Sequence, residues 1–442
     1  MNVELHIQAA PQRGEFARIT LNAPGLEPMV VRLDTQALRR HGVQHHEAAL
    51  DLLALAATVY AVDCLVPRKQ AEDGWTRELA FEMPVADPAL WETARFALER
   101  CLSFLSGDRW SITFTPRKVE LWAPRREVPT PKPVQVVSLF SGGLDSTIGV
   151  INHLASTQDQ LLLVGHSDTQ TSGTKRDQEE VYGHINDTFS GRSELLQVHA
   201  GFDRQAGERT MRSRSFLFLA LGVWASDVQG AGTPLLIPEN GTIALNMPLT
   251  PTRTGSNSTR TTHPHYLELY REFLKTLGLD VPLINPLEDQ TKGEAVRNCS
   301  DAALLKKVVA LTNSCAKTNR RGHWVRRTPS IKHCGQCMPC LYRRAALHTA
   351  GWDEGQAYGL DLANGEVDLD GTSSGANDAR ALLYLIRRAP DRDELENRLF
   401  TNGPLEVGKR QDYARLVHTT LGELRTWVED KGNPKVRGNA GV

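Results

Sequence analysis

The stretch Ser141-Gly142-Gly143-Leu144-Asp145-Ser146 constrains the fold more than any other part of this chain. It follows the apolar run Val136-Val137-Ser138-Leu139-Phe140 and precedes Thr147-Ile148-Gly149-Val150-Ile151. That order predicts a buried strand, a tight glycine turn and the first turn of a helix. Two adjacent glycines let the backbone approach a ligand closely. Unpaired amides at a helix start, with the positive end of the helix dipole, favour an anion there. The hydroxyls of Ser141 and Ser146 add donors for phosphate oxygens. Asp145 is unfavourable beside a phosphate unless a Mg2+ ion bridges the two, so it is a candidate metal-linked carboxylate. The plainer alternative is an ordinary strand–turn–helix connection with Asp145 and Ser146 as capping residues. The P-loop of kinases and GTPases is excluded, because the Gly-Lys-Ser/Thr ending is missing.

A second feature lies far downstream. Cys334-Gly335-Gln336-Cys337-Met338-Pro339-Cys340 has C-x-x-C-x-x-C spacing, and Cys315 upstream can supply a fourth thiol. Four thiolates satisfy tetrahedral zinc and close its coordination sphere, which suits a structural rather than a catalytic ion. The same thiols suit an iron–sulfur cluster or a redox dithiol. Disulfides are disfavoured where thiols stay reduced. His333 and His323 are alternatives to Cys315 as the fourth ligand. Cys64 and Cys101 fall in helical apolar patterns and read as core.

Taken with its flanking strand and helix, the glycine loop resembles the SGGxDS loop of the PP-loop ATP pyrophosphatases. The two features together resemble the QueC-like 7-cyano-7-deazaguanine synthase family. The residues that carry this are the loop, Thr312-Asn313-Ser314-Cys315, the cluster from Cys334 to Cys340, and Leu341-Tyr342-Arg343. Arg214-Ser215, Asn285-Pro286-Leu287 and Thr291-Lys292-Gly293-Glu294 add to the likeness, which runs from about Val134 to Leu347. Departures are a longer gap between Cys315 and Cys334, with the basic insert Arg320 to Arg327, and an unusual segment from Pro238 to Pro264. The enlarged architecture is similar to the QatC component of Qat-type bacterial anti-phage operons.

The resemblance implies an α/β, doubly wound parallel-sheet core of the HUP/PP-loop, adenine nucleotide alpha hydrolase-like kind, with a C-terminal zinc knuckle. It implies that ATP is opened at its α-phosphate and that a carboxylate, 7-carboxy-7-deazaguanine or a similar base, becomes an acyl-adenylate. An amine then displaces AMP. Ser141, Gly142, Gly143, Leu144 and Ser146 would hold pyrophosphate and Asp145 would anchor Mg2+. Lys292 is the candidate for the α-phosphate, since a lone lysine on an exit loop can neutralise developing charge. Arg214 is a candidate partner for phosphate or carboxylate. The metal ligands would be Cys315, Cys334, Cys337 and Cys340.

The residues themselves also predict the organisation. Residues 1–128 mix strand signals (Ala17–Leu21, Met29–Leu33, Arg77–Met83, Trp110–Phe114) with helical ones (His46–Val62, and Leu90–Leu105 behind an Asp87-Pro88 start). They read as an α+β accessory or docking domain, separated by the Pro-rich segment Glu127–Pro133. Residues 134–348 alternate strand and helix, as in a parallel sheet. Ligands bind beyond the carboxyl ends of such strands, so the loop, His166–Asp168 and Glu239-Asn240-Gly241 are expected around one crevice. Residues 349–442 read as a helical extension whose last dozen residues are disordered.

Composition sets the remaining limits. The formal charge of -1 over 442 residues gives no nucleic-acid footprint and disfavours a sulfur-inserting tRNA enzyme. No signal peptide is visible, and Phe216–Ala225, read as the most apolar segment, is too short for a bilayer. A cytoplasmic location is therefore expected. The flanking regions suggest a protein partner from the same operon, whose amine could be the acceptor. Two alternatives are a small-molecule synthase that uses ammonia and a nucleotide-binding module without catalysis.

Overall fold

The computed structural model describes residues 1–8, 16–33, 38, 41, 46–122, 133–168, 173–203, 207–208, 210–249, 260–317, 331–371 and 374–442. The basic insert at 320–327, His323 and most of the Pro-rich segment lie outside these residues.

Ten strands are described: β1 (Glu4–Gln8), β2 (Arg18–Asn22), β3 (Met29–Leu33), β4 (Glu78–Val85), β5 (Arg109–Pro116), β6 (Val136–Leu139), β7 (Leu161–Ser167), β8 (Ser193–Phe202), β9 (Leu235–Leu236) and β10 (Leu283–Ile284). Eight of them form one sheet in the order β1-β2-β3-β8-β7-β6-β9-β10. From β8 to β10 the pairing is parallel. The side chains of this part sort by alternation onto two buried faces. Val137 and Leu139 of β6, with Leu162 and Val164 of β7, enter one core. Val136, Phe140, Leu161 and Leu163 enter the other, beneath the helices Leu144–Ser156 and Thr174–Thr188.

The expected boundary between residues 1–128 and residues 134–348 is crossed by both sheet and core. The antiparallel meander β1–β3 joins the outer edge of β8, with Val31 opposite Phe202. The helix Glu47–Leu65 packs against Arg212–Asp227, and Pro88–Ser106 against Pro264–Thr276. Among the described residues, Glu47–Leu65 is the one helix long and apolar enough to cross a membrane, and it outranks Phe216–Ala225 in that respect; 94% of its apolar window is buried in this core. β4 and β5 form a separate parallel pair connected by Pro88–Ser106, which starts at an Asp87 cap followed by Pro88, as the sequence predicts.

The C-terminal region forms a second core from Asn377–Arg388, Arg392–Leu399, Arg410–Lys431 and Pro434–Ala440, packed with Leu245, Met247 and Leu249 and with Met338, Leu341, Tyr342 and Ala345 of the helix Met338–Thr349. The helix Pro434–Ala440 replaces the disorder expected at the chain end. The Asn433 side chain accepts from the Val436 amide, and Pro434 opens the helix.

Candidate functional site

β6 and β9 are adjacent, and the helix that follows β6, Leu144–Ser156, and the helix that leads from β8 to β9, Arg212–Asp227, pack on opposite faces of the sheet. A crevice forms outside the strand ends at such a point. The Ser141–Ser146 loop leaves β6 here, and Glu239 and Asn240 follow β9. Gly142 has φ +75°, in the left-handed region, and a Cβ there would lie 3.1 Å from Gln178 Cγ. Gly143 caps the helix Leu144–Ser156. The first amides of a helix have no carbonyl of their own turn to bond. Two here are taken up by hydroxyls: Gly143 donates to Ser141 Oγ (3.2 Å) and Leu144 to Ser314 Oγ (3.4 Å). Ser141 Oγ and Ser146 Oγ are 3.1 Å apart, so the two hydroxyls converge on one spot.

Asp145 lies behind them in a buried polar cluster. Lys292 Nζ donates to both carboxylate oxygens, at 2.6 and 2.5 Å, and Asn240 Nδ2 donates to Oδ2 at 3.0 Å. Burial works to raise the Asp145 pKa, but the Lys292 charge and the hydrogen bonds from Glu239, Lys292 and Asn240 outweigh it, and the carboxyl sits below its ordinary range. Glu239 goes the other way. Burial and the Asp145 charge push its pKa well up, so Glu239 keeps its proton and donates it to Asp145. The expected roles for Asp145 and Lys292 were separate, yet the two are direct partners. The reason is burial: an ammonium and a carboxylate this deep each need a counter-charge.

Asn240 serves twice, because its Oδ1 also caps the short helix Gly241–Leu245. Gly241 is a packing glycine. Its amide donates to Gln290 O at 2.9 Å, and a Cβ would come within 2.1 Å of Glu288 O. Lys292 begins the helix Lys292–Arg297, which Thr291 and Glu294 close with a capping box.

Arg214 faces the crevice from the first turn of Arg212–Asp227. It lines a cavity of about 260 Å³ together with Ser141, Ser146, Phe218, Ile237 and Glu239. His166 is placed differently from expectation. Its imidazole is 1% exposed and packed between Tyr60 and Phe218, and burial with the nearby Arg214 charge drives its pKa down to about 3. What His166 offers the crevice side is its backbone carbonyl, which accepts from Arg214 and Gln178.

Cys315, Cys334, Cys337 and Cys340 converge, all four sulfurs within 4.8 Å of one another. Individual separations are 4.0, 3.8 and 3.3 Å. Zn–S bonds of about 2.3 Å in a tetrahedron require sulfurs roughly 3.8 Å apart. This buried four-cysteine cluster could therefore hold a metal such as zinc. Gly335, at φ +79°, is required because a Cβ would meet Leu360 O at 1.9 Å. His333 is not among the converging ligands; its Nε2 accepts from the Ser314 amide at 3.3 Å.

The cluster and the loop are physically joined. Arg343, on the helix Met338–Thr349 that Cys337 caps, donates to Thr312 Oγ1 (2.8 Å) and Ser314 Oγ (3.4 Å). Ser314 in turn holds the Leu144 amide. Arg344 is spent elsewhere, on Asp353 and Asp361. Sequence reasoning missed Gln178, Tyr60 and Glu423 as neighbours of the site. None of these carried a local signal, whereas Asp168, at the β7 exit, was expected at the crevice and holds Arg214 there.

Comparisons with protein-family models, with curated proteins and with solved structures gave no match.

Proposed function

We propose that this chain is an ATP-dependent, AMP- and pyrophosphate-forming ligase of QueC-like type. The observation that carries the reading is the convergence of Ser141, Ser146, Arg214 and the Asp145–Lys292 pair beside one cavity at the strand ends. The converging hydroxyls and the positive end of the helix suit pyrophosphate, and the cavity between the loop and Arg214 suits a carboxylate lying against the α-phosphate. Attack by that carboxylate on the α-phosphorus forms an acyl-adenylate as the bond to pyrophosphate breaks. An amine then adds to the acyl carbon, AMP leaves and the amine proton is released. Lys292 would neutralise charge that develops on the phosphates.

Asp145 is the carboxylate that would hold Mg2+, which supplies charge neutralisation when bound. Both of its oxygens already accept from Lys292, so taking up the ion exchanges one cation for the other. The cysteine cluster would carry a structural zinc and brace the loop through Arg343 and Ser314. The proposed setting is a bacterial cytoplasm and an anti-phage defence operon, on resemblance alone. The N-terminal region extends the sheet and its core, so its presence does not by itself favour a partner protein's amine over ammonia.

The test is incubation with MgATP and 7-carboxy-7-deazaguanine, with nucleotides resolved by chromatography and base and proteins by mass spectrometry. AMP and pyrophosphate are expected, with Asp145→Ala losing about 10²-fold or more in rate. ADP and phosphate as the sole nucleotide products would refute the reading. A free amide or nitrile indicates ammonia as acceptor, whereas added mass on a polypeptide indicates a protein.

A further inference from the structure

We propose that Tyr60, from the N-terminal helix Glu47–Leu65, is a positioning residue for Arg214, so that the N-terminal region forms part of the crevice. Three contacts carry this. The Tyr60 hydroxyl donates to Asp168 Oδ2 at 2.8 Å. Arg214 Nε lies 3.2 Å from the same oxygen. Arg214 Nη2 donates to His166 O at 3.2 Å.

The two anchors act on the guanidinium of a side chain that borders the cavity. Arg214 is 21% exposed along its side chain and borders the cavity, while the Asp168 side chain is fully enclosed. A buried carboxylate requires donors, and a guanidinium alone would drag it toward the solvent side. Tyr60 supplies the opposing donor from the interior. Its ring cannot yield, being 1% exposed and packed on Phe202 at 5.0 Å and on His166 edge-on at 6.5 Å. Burial, with the nearby Cys64 and Asp168, raises the phenol pKa well above its ordinary value, so the hydroxyl remains a donor. The same turn is fixed a second time from the N-terminal region, where Asp63 accepts from the Ser213 hydroxyl. Arg214 is thus set in part by residues, Tyr60 and Asp63, that lie outside the part of the chain resembling the family.

The inference deepens the nucleotide reading of this cavity, and its test separates the two. Tyr60→Phe keeps the ring and removes the hydroxyl. In the full chain, labelling of Arg214 by the arginine-selective reagent phenylglyoxal, read by mass spectrometry, is expected to become several-fold faster, with Arg109 unchanged. Asp168→Asn should act in the same direction and serves if Tyr60→Phe folds poorly. Unchanged labelling in both variants overturns the proposal. In a second arm, binding of α,β-methylene-ATP with Mg2+ is measured by calorimetry for Tyr60→Phe alone and in an Arg214→Met background. Several-fold weakening that vanishes when Arg214 is absent supports action through Arg214; equal weakening in both backgrounds overturns it. If the unaltered protein binds no nucleotide, the function proposed above falls, while the labelling result still decides the role of Tyr60.

Discussion

The N-terminal and C-terminal regions both flank the parallel sheet, but they are joined to it in opposite ways. The N-terminal region extends the sheet itself and shares one continuous core with it, from Leu52 and Leu55 through to Phe216 and Leu221. The C-terminal region packs outside the sheet, in a second core that it shares with Leu245, Met247 and Leu249 and with the helix Met338–Thr349, and it meets the site through the helix Arg410–Lys431. That helix places Thr420 against Thr242 (2.7 Å) and Glu423 against Thr291 (2.8 Å), beside the two short helices capped by Asn240 and led by Lys292. A region that extends the sheet should fail together with it; a region packed on helices outside the sheet should disturb mainly the place it touches. The two regions should therefore fail differently when altered.

The largest effect is expected from deleting residues 1–122. The helix Glu47–Leu65 buries 17 of its 19 residues, and its removal bares Arg212–Asp227 and the edge of β8. Each large apolar side chain returned to water costs about 1.5–3 kcal/mol. A handful of these exceeds the roughly 5–15 kcal/mol that holds a domain together. Residues 123–442 should accumulate as insoluble protein. A soluble fragment with a cooperative thermal transition would break the comparison and restore a detachable domain.

This outcome was hidden in the sequence for a physical reason. β2, β3 and β5 are visible as alternating runs, and the β6–loop–helix unit is visible because strand, glycine turn and helix start are all local. Which edge β3 joins is not local. Val31 meets Phe202 across most of two hundred residues, and neither residue carries a mark of the other. Likewise the C-x-x-C-x-x-C spacing declares a metal site, while the partnership of Asp145 with Lys292 exists only once two distant strand exits converge. The terminal helix had a readable signal. Asn433-Pro434 is a cap and first-turn pair, but an Asn-Pro step also breaks chains, and its apolar partners Val436 and Ala440 find their core only in the folded state.

The second effect sharpens the comparison through pH. Asp51, in the shared N-terminal core, is fully buried, and burial pushes its pKa from 3.8 up to about 6, with Arg117 and the Ala86 amide pulling the other way. A folded-state pKa above the unfolded one means the native state binds the proton more tightly. Its contribution to stability is full below about pH 4 and is lost as pH rises through 6. The loss is roughly 1.4 kcal/mol per unit over about two units, or about 3 kcal/mol. Asp51→Asn cannot ionise and should gain on the unaltered protein by this amount between pH 4 and 7. Calorimetric unfolding at several pH values checks the slope; parallel curves would show that Asp51 ionises as freely folded as unfolded.

The smallest effect is expected at Glu423, and it addresses the C-terminal side of the comparison. The carboxylate accepts from Thr291 Oγ1 and from the Gly293 amide, and Arg297 lies 3.5 Å away. Burial raises its pKa, while these donors hold it down in part. Gly293 permits the approach, since a Cβ there would stand 2.2 Å from Glu423 Oε1. Glu423→Ala leaves a hydroxyl and an amide without their acceptor, at a cost of about 1–3 kcal/mol. The C-terminal core, which Glu423 does not enter, should stay intact. The change should instead loosen the turn that carries Lys292, and hydrogen exchange should rise at residues 291–295 while the amides of Arg410–Lys431 stay protected. Loss of protection throughout that helix would mean the C-terminal region is as inseparable from the sheet as the N-terminal one, and the contrast between the two would disappear.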